Sequence, residues 1–80
     1  MKKVTVYSTA TCPYCVMLKK WLTDKQINYS EYRVDLNPIA AQQMILLSGH
    51  SSVPFTTIEE GKELTKINGY DVHRLSKVFA

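Results

Sequence analysis

Cysteine is scarce in this chain of 80 residues: there are only two, Cys12 and Cys15, three positions apart. That scarcity excludes a scaffold stapled by several bridges, and a pair so close in sequence cannot tie distant elements together. Long hydrophobic runs are also missing. Met1 to Ser8 carries Lys2 and Lys3 but only a short apolar run broken by Thr5, so it lacks the h-region of a signal peptide, and no stretch has the length of a membrane span. Nor is charge of one sign concentrated anywhere. Ten basic and seven acidic residues give a net +3 without a lysine or arginine block. This argues against nucleic acid as a partner and leaves a mild positive field suited to acidic partners or anionic small molecules. Without an export signal the expected location is the reducing cytoplasm, where a Cys-x-x-Cys pair is catalytic or metal-binding more often than structural. The length and a hydrophobic content of 45% predict one small domain over residues 1–80.

What is present starts with a strand. Lys3 to Ser8 mixes Val4, Val6 and Tyr7 with polar residues and is rich in β-branched side chains, so it should lead directly into the cysteine loop. From Pro13 to Gln26, Leu18, Trp21 and Leu22 recur at helical spacing, with Pro13 at the first turn and Lys19 and Lys20 expected on the solvated side. Tyr29 to Asp35 reads as a second strand, and Asn37-Pro38 as a turn that opens a helix. That helix, Ile39 to Leu47, offers the apolar set Ile39, Ala40, Met44 and Leu47 and stops at Ser48-Gly49. Phe55 to Ile58 and Glu63 to Ile67 are predicted strands joined by Glu59-Glu60-Gly61-Lys62. Asp71 to Phe79 puts Val72, Leu75, Val78 and Phe79 on one helical face. The predicted order is β-α-β-α-β-β-α, an α/β fold. Its four-stranded mixed sheet takes a right-handed parallel pair from the first βαβ unit and an antiparallel hairpin from the last two strands, with helices on both faces.

Cys12-Pro13-Tyr14-Cys15 falls where the first strand gives way to the first helix. A thiolate attacks a disulfide, and a second thiol one turn away can resolve the mixed disulfide that results. A helix starting near Pro13 puts Cys12 at the N-cap, where unpaired backbone N–H groups and the helix dipole favour negative charge. Cys12 is therefore expected to be the nucleophile. Cys15, one turn further into the apolar body, is expected to stay protonated and act as the resolving thiol. Pro13 fixes its φ and offers no N–H to the sulfurs, and Tyr14 should line the mouth of the site. A zinc site built from the cysteines with His50 and His73 is disfavoured, because a hairpin and more than twenty residues separate the histidines. No metal ligand is assigned, and both histidines are expected at the surface. Trp21 is read as packing.

Three segments together resemble the glutaredoxins: Cys12-Pro13-Tyr14-Cys15 after the first strand, Ser52-Val53-Pro54 before the third, and Asn68-Gly69-Tyr70-Asp71 before the last helix. The resemblance covers nearly the whole chain and implies a thioredoxin fold with Pro54 in the cis form opposite the cysteines. It implies that the Val53 backbone pairs with an extended thiol substrate, by strand addition. It further implies that Gly69, Tyr70 and Asp71 hold the γ-glutamyl end of glutathione, although Asp71 also suits a helix N-cap. Two basic positions common in the family are absent, since Thr9 stands three residues before Cys12 and Pro38 to Gln43, including Ala41, carries no charge. Asn68 replaces the first glycine of the family's Gly-Gly pair.

The implied activity is dithiol exchange on protein disulfides or glutathione mixed disulfides, by a monomer with no tightly bound cofactor and glutathione as co-substrate. Ribonucleotide reductase and peroxidases are implied clients. The missing basic residues also resemble NrdH-type redoxins, which are reduced by thioredoxin reductase. A third alternative is glutathione-assisted binding of an iron–sulfur cluster through Cys12, against which stands the stiffness that Pro13 gives the loop.

Overall fold

A computed structural model describes residues 2–79. The elements are β1 (Lys2–Ser8), α1 (Pro13–Asp24), β2 (Ser30–Arg33), α2 (Pro38–Ser48), β3 (Phe55–Glu60), β4 (Glu63–Asn68) and α3 (Val72–Val78), in the order expected from the sequence. The sheet runs β2-β1-β3-β4. β1 is parallel to β2 and antiparallel to β3, and β3 and β4 form the antiparallel hairpin.

Successive side chains of a strand point to opposite faces, so β1 serves two cores at once. Val4 and Val6 join Leu18 and Leu22 of α1, Ile58, Ile67 and Leu75 of α3 in one buried cluster. Tyr7, on the other face, packs with Phe55, Ala40 and Met44 beneath α2. Each fully buried aliphatic or aromatic side chain contributes roughly 1.5–3 kcal/mol relative to an exposed one, and a one-residue slip of β1 would exchange the two faces.

Register then decides where the loops meet. Tyr7 is paired with Tyr32 on β2 and with Phe55 on β3, and Phe55 is paired with Asn68 on β4. The Tyr7 ring lies 5.8 Å from each of the Tyr32 and Phe55 rings. The chain after Ser8, the chain before Phe55 and the chain after Asn68 therefore emerge at one end of the sheet, and these are the three segments that carry the cysteines, Val53-Pro54 and Gly69-Tyr70-Asp71.

Several local expectations are corrected. The first helix does not reach Gln26. It ends at Asp24 with Lys25 as cap, and Gln26 takes a left-handed φ of 59°. The Ile27 N–H donates to the Leu22 carbonyl at 2.9 Å and the Gln26 N–H to that of Thr23 at 3.0 Å, the bonding of a Schellman ending. Ile27 packs on the first core, which turns the chain where no local signal stops it. The hairpin turn is shorter than expected, because β3 continues to Glu60 and leaves Gly61-Lys62 between the strands, with Gly61 at a φ of 61°. Ile39, assigned to the apolar face of the second helix, is 77% exposed, since Ala40 and Met44 take the sheet-facing positions and residue 39 is rotated about 100° from Ala40. Val72 is likewise exposed, while Leu75 alone of its expected face is fully buried.

Candidate functional site

Cys12 is the N-cap of α1 and Pro13 its first residue. The Cys12 sulfur takes the place of the usual capping oxygen and accepts the Cys15 backbone N–H at 3.2 Å. Both cysteines are free thiols, Cys12 half-buried and Cys15 fully buried. The Cys12 thiol also points at the Val53 carbonyl oxygen, 3.8 Å away. The Val53–Pro54 peptide bond is cis. The Pro54 carbonyl accepts the Gly69 N–H at 2.8 Å, tying the second loop to the third, and Gly69 reaches that position with a φ of 74°. Beyond it, Asp71 caps α3, one carboxylate oxygen accepting the Arg74 N–H at 3.1 Å.

Tyr14, Val53, Pro54, Gly69, Tyr70 and Asp71, all singled out from the sequence, line one open groove of about 660 Å³. Asn68 and Val72 complete its walls, and neither was assigned there from the sequence. No lysine or arginine is among the lining residues; Asp71 is their single charged side chain. Cys12 is not itself among the lining residues but meets one of them, Val53, and Cys15 is fully buried.

Burial pushes the Cys15 thiol up to about 12, with the hydrogen bond it donates to Cys12 adding to the rise and the Thr9 backbone and the Lys19 charge opposing it. Lys19 corrects an expectation. It was placed on the solvated side of the helix, but it is half-buried and its Nζ lies 2.7 Å from a Glu31 carboxylate oxygen. The same oxygen accepts the hydroxyl of Ser8 at 2.5 Å, a residue with no exposed surface. Lys19 first and Ser8 second hold the Glu31 carboxyl below the usual carboxylate range. Lys20 does lie in solvent, paired with Asp24 at 3.0 Å. Ser8 and Glu31 went unremarked in the sequence, although Ser8 continues the buried face of Val4 and Val6 and is a polar residue where an apolar one is expected.

His50 and His73 are both exposed. Among the described residues no group of three His, Cys, Asp or Glu side chains is gathered as metal ligands are, and no helix is long and apolar enough to cross a membrane. Trp21 packs against Phe79, ring centres 6.3 Å apart, at the edge of the first core.

Two thiols at a helix N-terminus, one capping it and the other beneath it, on a mixed sheet of this topology define a thiol–disulfide oxidoreductase with a thioredoxin fold. The glutaredoxin family model matches residues 4–62. The chain is 39% identical over 79 residues to a glutaredoxin of Neisseria meningitidis, covering 96% of this chain and 88% of that protein. It is 35% identical over 57 residues to the glutaredoxin-like protein NrdH of Lactococcus lactis, covering 71% of this chain and 78% of that one. The NrdH-redoxin of Escherichia coli has the same fold, with a TM-score of 0.77 at 18% identity over 95% of this chain and 93% of that one. The chain belongs to the glutaredoxin family.

Proposed function

We propose that Cys12 is the attacking sulfur of a dithiol mechanism and Cys15 the resolving thiol. The observation that carries this reading is the asymmetry of the pair: Cys12 is only partly buried, its sulfur at the helix N-terminus and 3.8 Å from the Val53 carbonyl oxygen, whereas Cys15 is fully buried. Cys12 as thiolate attacks one sulfur of a substrate disulfide, and the other sulfur leaves with the bonding electron pair. The helix dipole and the Cys15 N–H stabilise the charged sulfur before attack. Cys15 then attacks Cys12, the bond to the substrate breaks, and the substrate departs as a thiol. Tyr14, Val53 and Pro54 receive the chain that carries the disulfide, and Val53 pairs with it as an added strand. Gly69, Tyr70 and Asp71 take the polar end of a small thiol such as glutathione, which acts as co-substrate and is not retained.

The lining of the groove favours a second reading of the reductant. Glutathione carries two carboxylates, and the groove offers them no cationic side chain. Neutral donors hold a carboxylate less strongly than charged ones. This supports a redoxin fed by thioredoxin reductase that passes electrons to a protein such as ribonucleotide reductase, in line with the NrdH relative. NADPH oxidation with a disulfide substrate separates the two. Turnover only with glutathione and glutathione reductase supports glutathione as reductant, and turnover only with thioredoxin reductase supports the redoxin. Turnover in neither would overturn both.

A further inference from the structure

Resolution requires Cys15 to give up its proton, yet Cys15 has no exposed surface, and burial disfavours the thiolate. A device that offsets burial is therefore needed at this sulfur, if Cys15 is the resolving thiol as proposed above. Lys19 follows Cys15 by four residues, so both lie on one face of α1, a turn apart. Instead of extending into water, the Lys19 side chain is drawn onto β2, where Nζ sits 2.7 Å from Glu31 and the two side chains are 29% and 28% exposed. Glu31 is itself held from β1 by the Ser8 hydroxyl, fully buried at the strand end that leads into the cysteine loop. The parallel register of Val6 with Glu31 brings these groups to the side of the sheet covered by α1.

We propose that Lys19 is a positioning residue for the second half-reaction: fixed by Glu31 and Ser8, its ammonium stabilises the Cys15 thiolate as that sulfur attacks Cys12. In this step the Cys15–Cys12 bond forms and the Cys12–substrate bond breaks. The electron pair leaves with the substrate sulfur, and the proton lost by Cys15 is balanced by the one the departing thiolate gains.

Among the described residues the charged and titratable groups around the site include Asp35, which pairs with Arg33 and accepts the Ala10 N–H in the loop before Cys12. Cys12 and Lys19 act on Cys15 from its own helix and cap, Glu31 and Arg33 act on the ion pair from β2, and β1 contributes only the uncharged Ser8. Cys12 opposes ionisation of Cys15 through its hydrogen bond and its charge. Both effects end once Cys12 is locked in a mixed disulfide. The Thr9 backbone and, more weakly, the Lys19 charge are then left to oppose burial.

The test is rapid mixing of the reduced protein with glutathione disulfide across a pH series, reading release of the second glutathione, with Cys15→Ser reporting the first step alone. In Lys19→Met the midpoint of the resolution profile should rise. A one-unit rise lowers the thiolate fraction at neutral pH about tenfold and, because the more basic thiolate is the better nucleophile, slows resolution roughly three- to fourfold relative to attack. The charge swap Lys19→Glu with Glu31→Lys keeps an ion pair for folding but puts a carboxylate beside Cys15, so it should raise the midpoint further. Lys19→Arg should restore it. Lys20→Met, which removes a charge from the exposed pair with Asp24, should leave it in place. An unmoved midpoint in both the Met variant and the swap, or an equal shift in Lys20→Met, would overturn the inference. If Cys15→Ser still resolves, Cys15 is not the second thiol, and both the reading and the inference built on it fall.

Discussion

The Cys12 sulfur stands 3.8 Å from the Val53 carbonyl oxygen, beside the backbone that rims the groove. On the proposed reading, a substrate whose sulfur reaches Cys12 lays its backbone along Val53. If the two pair as strands, methylating the single substrate amide that faces Val53 removes one hydrogen bond, a loss of about 1 kcal/mol. KM for a short peptide disulfide should then rise about fivefold with kcat little changed. Steady-state kinetics on matched peptides checks this, and equal KM values would exclude pairing at Val53.

Asp71 serves the fold through its carboxylate at the Arg74 N–H and also lines the groove. Two substitutions separate these roles. Asp71→Ala should lower stability by about 1 kcal/mol through loss of the cap, whereas Asp71→Asn keeps a good capping oxygen and should cost little. If the charge also holds the amino group of a small thiol, Asp71→Asn should raise KM for glutathione mixed disulfides while the urea midpoint stays near that of the wild type.

Gln26 holds a left-handed φ of 59° at the end of α1, a conformation in which its Cβ is crowded. Gln26→Gly should relieve that crowding, offset in part by the greater freedom of glycine in the unfolded chain. A net gain of roughly 0.5–1 kcal/mol in urea denaturation is expected. A loss of stability would mean that the Gln26 side chain makes a contribution beyond the turn.

Cys15 carries a proton up to about 12 when folded, against 9.0 as the reference value of the thiol. Above pH 9.0 the unfolded chain releases this proton and the folded chain keeps it. Its contribution to stability is therefore complete below that pH and is lost as pH rises toward about 12. The reduced wild-type protein should lose stability across this window more steeply than Cys15→Ser, as followed by denaturant midpoints at successive pH values. At neutral pH iodoacetamide should modify Cys12 and leave Cys15 untouched until the protein is unfolded.

Element order was legible because each element carries its own period: Val4 and Val6 in the first strand, Leu18 and Leu22 in the first helix, a glycine in the hairpin turn. The candidate site was legible for the same local reason, since Cys12-Pro13-Tyr14-Cys15, Val53-Pro54 and Gly69-Tyr70-Asp71 are short contiguous motifs. What the chain hid depends on elements far apart in sequence. Lys19 looks like any solvated lysine until β2 brings Glu31 against α1, and Ser8 looks like a strand end until that carboxylate meets its hydroxyl. Ile39 is as apolar as Met44, and only the way α2 lies on the sheet decides that one is 77% exposed and the other 1%. The end of α1 was missed because Lys25 and Gln26 are acceptable helix residues. The turn comes from the Ile27 side chain packing on the first core.

The most direct test of the division of labour between the two thiols is mass spectrometry of Cys15→Ser after reaction with a peptide disulfide. The substrate thiol should be trapped on Cys12 as a stable mixed disulfide in stoichiometric yield, and Cys12→Ser should trap nothing under the same conditions. Adducts on Cys15 in the Cys12→Ser protein at a comparable rate, or no adduct on Cys12 in Cys15→Ser, would contradict the assignment.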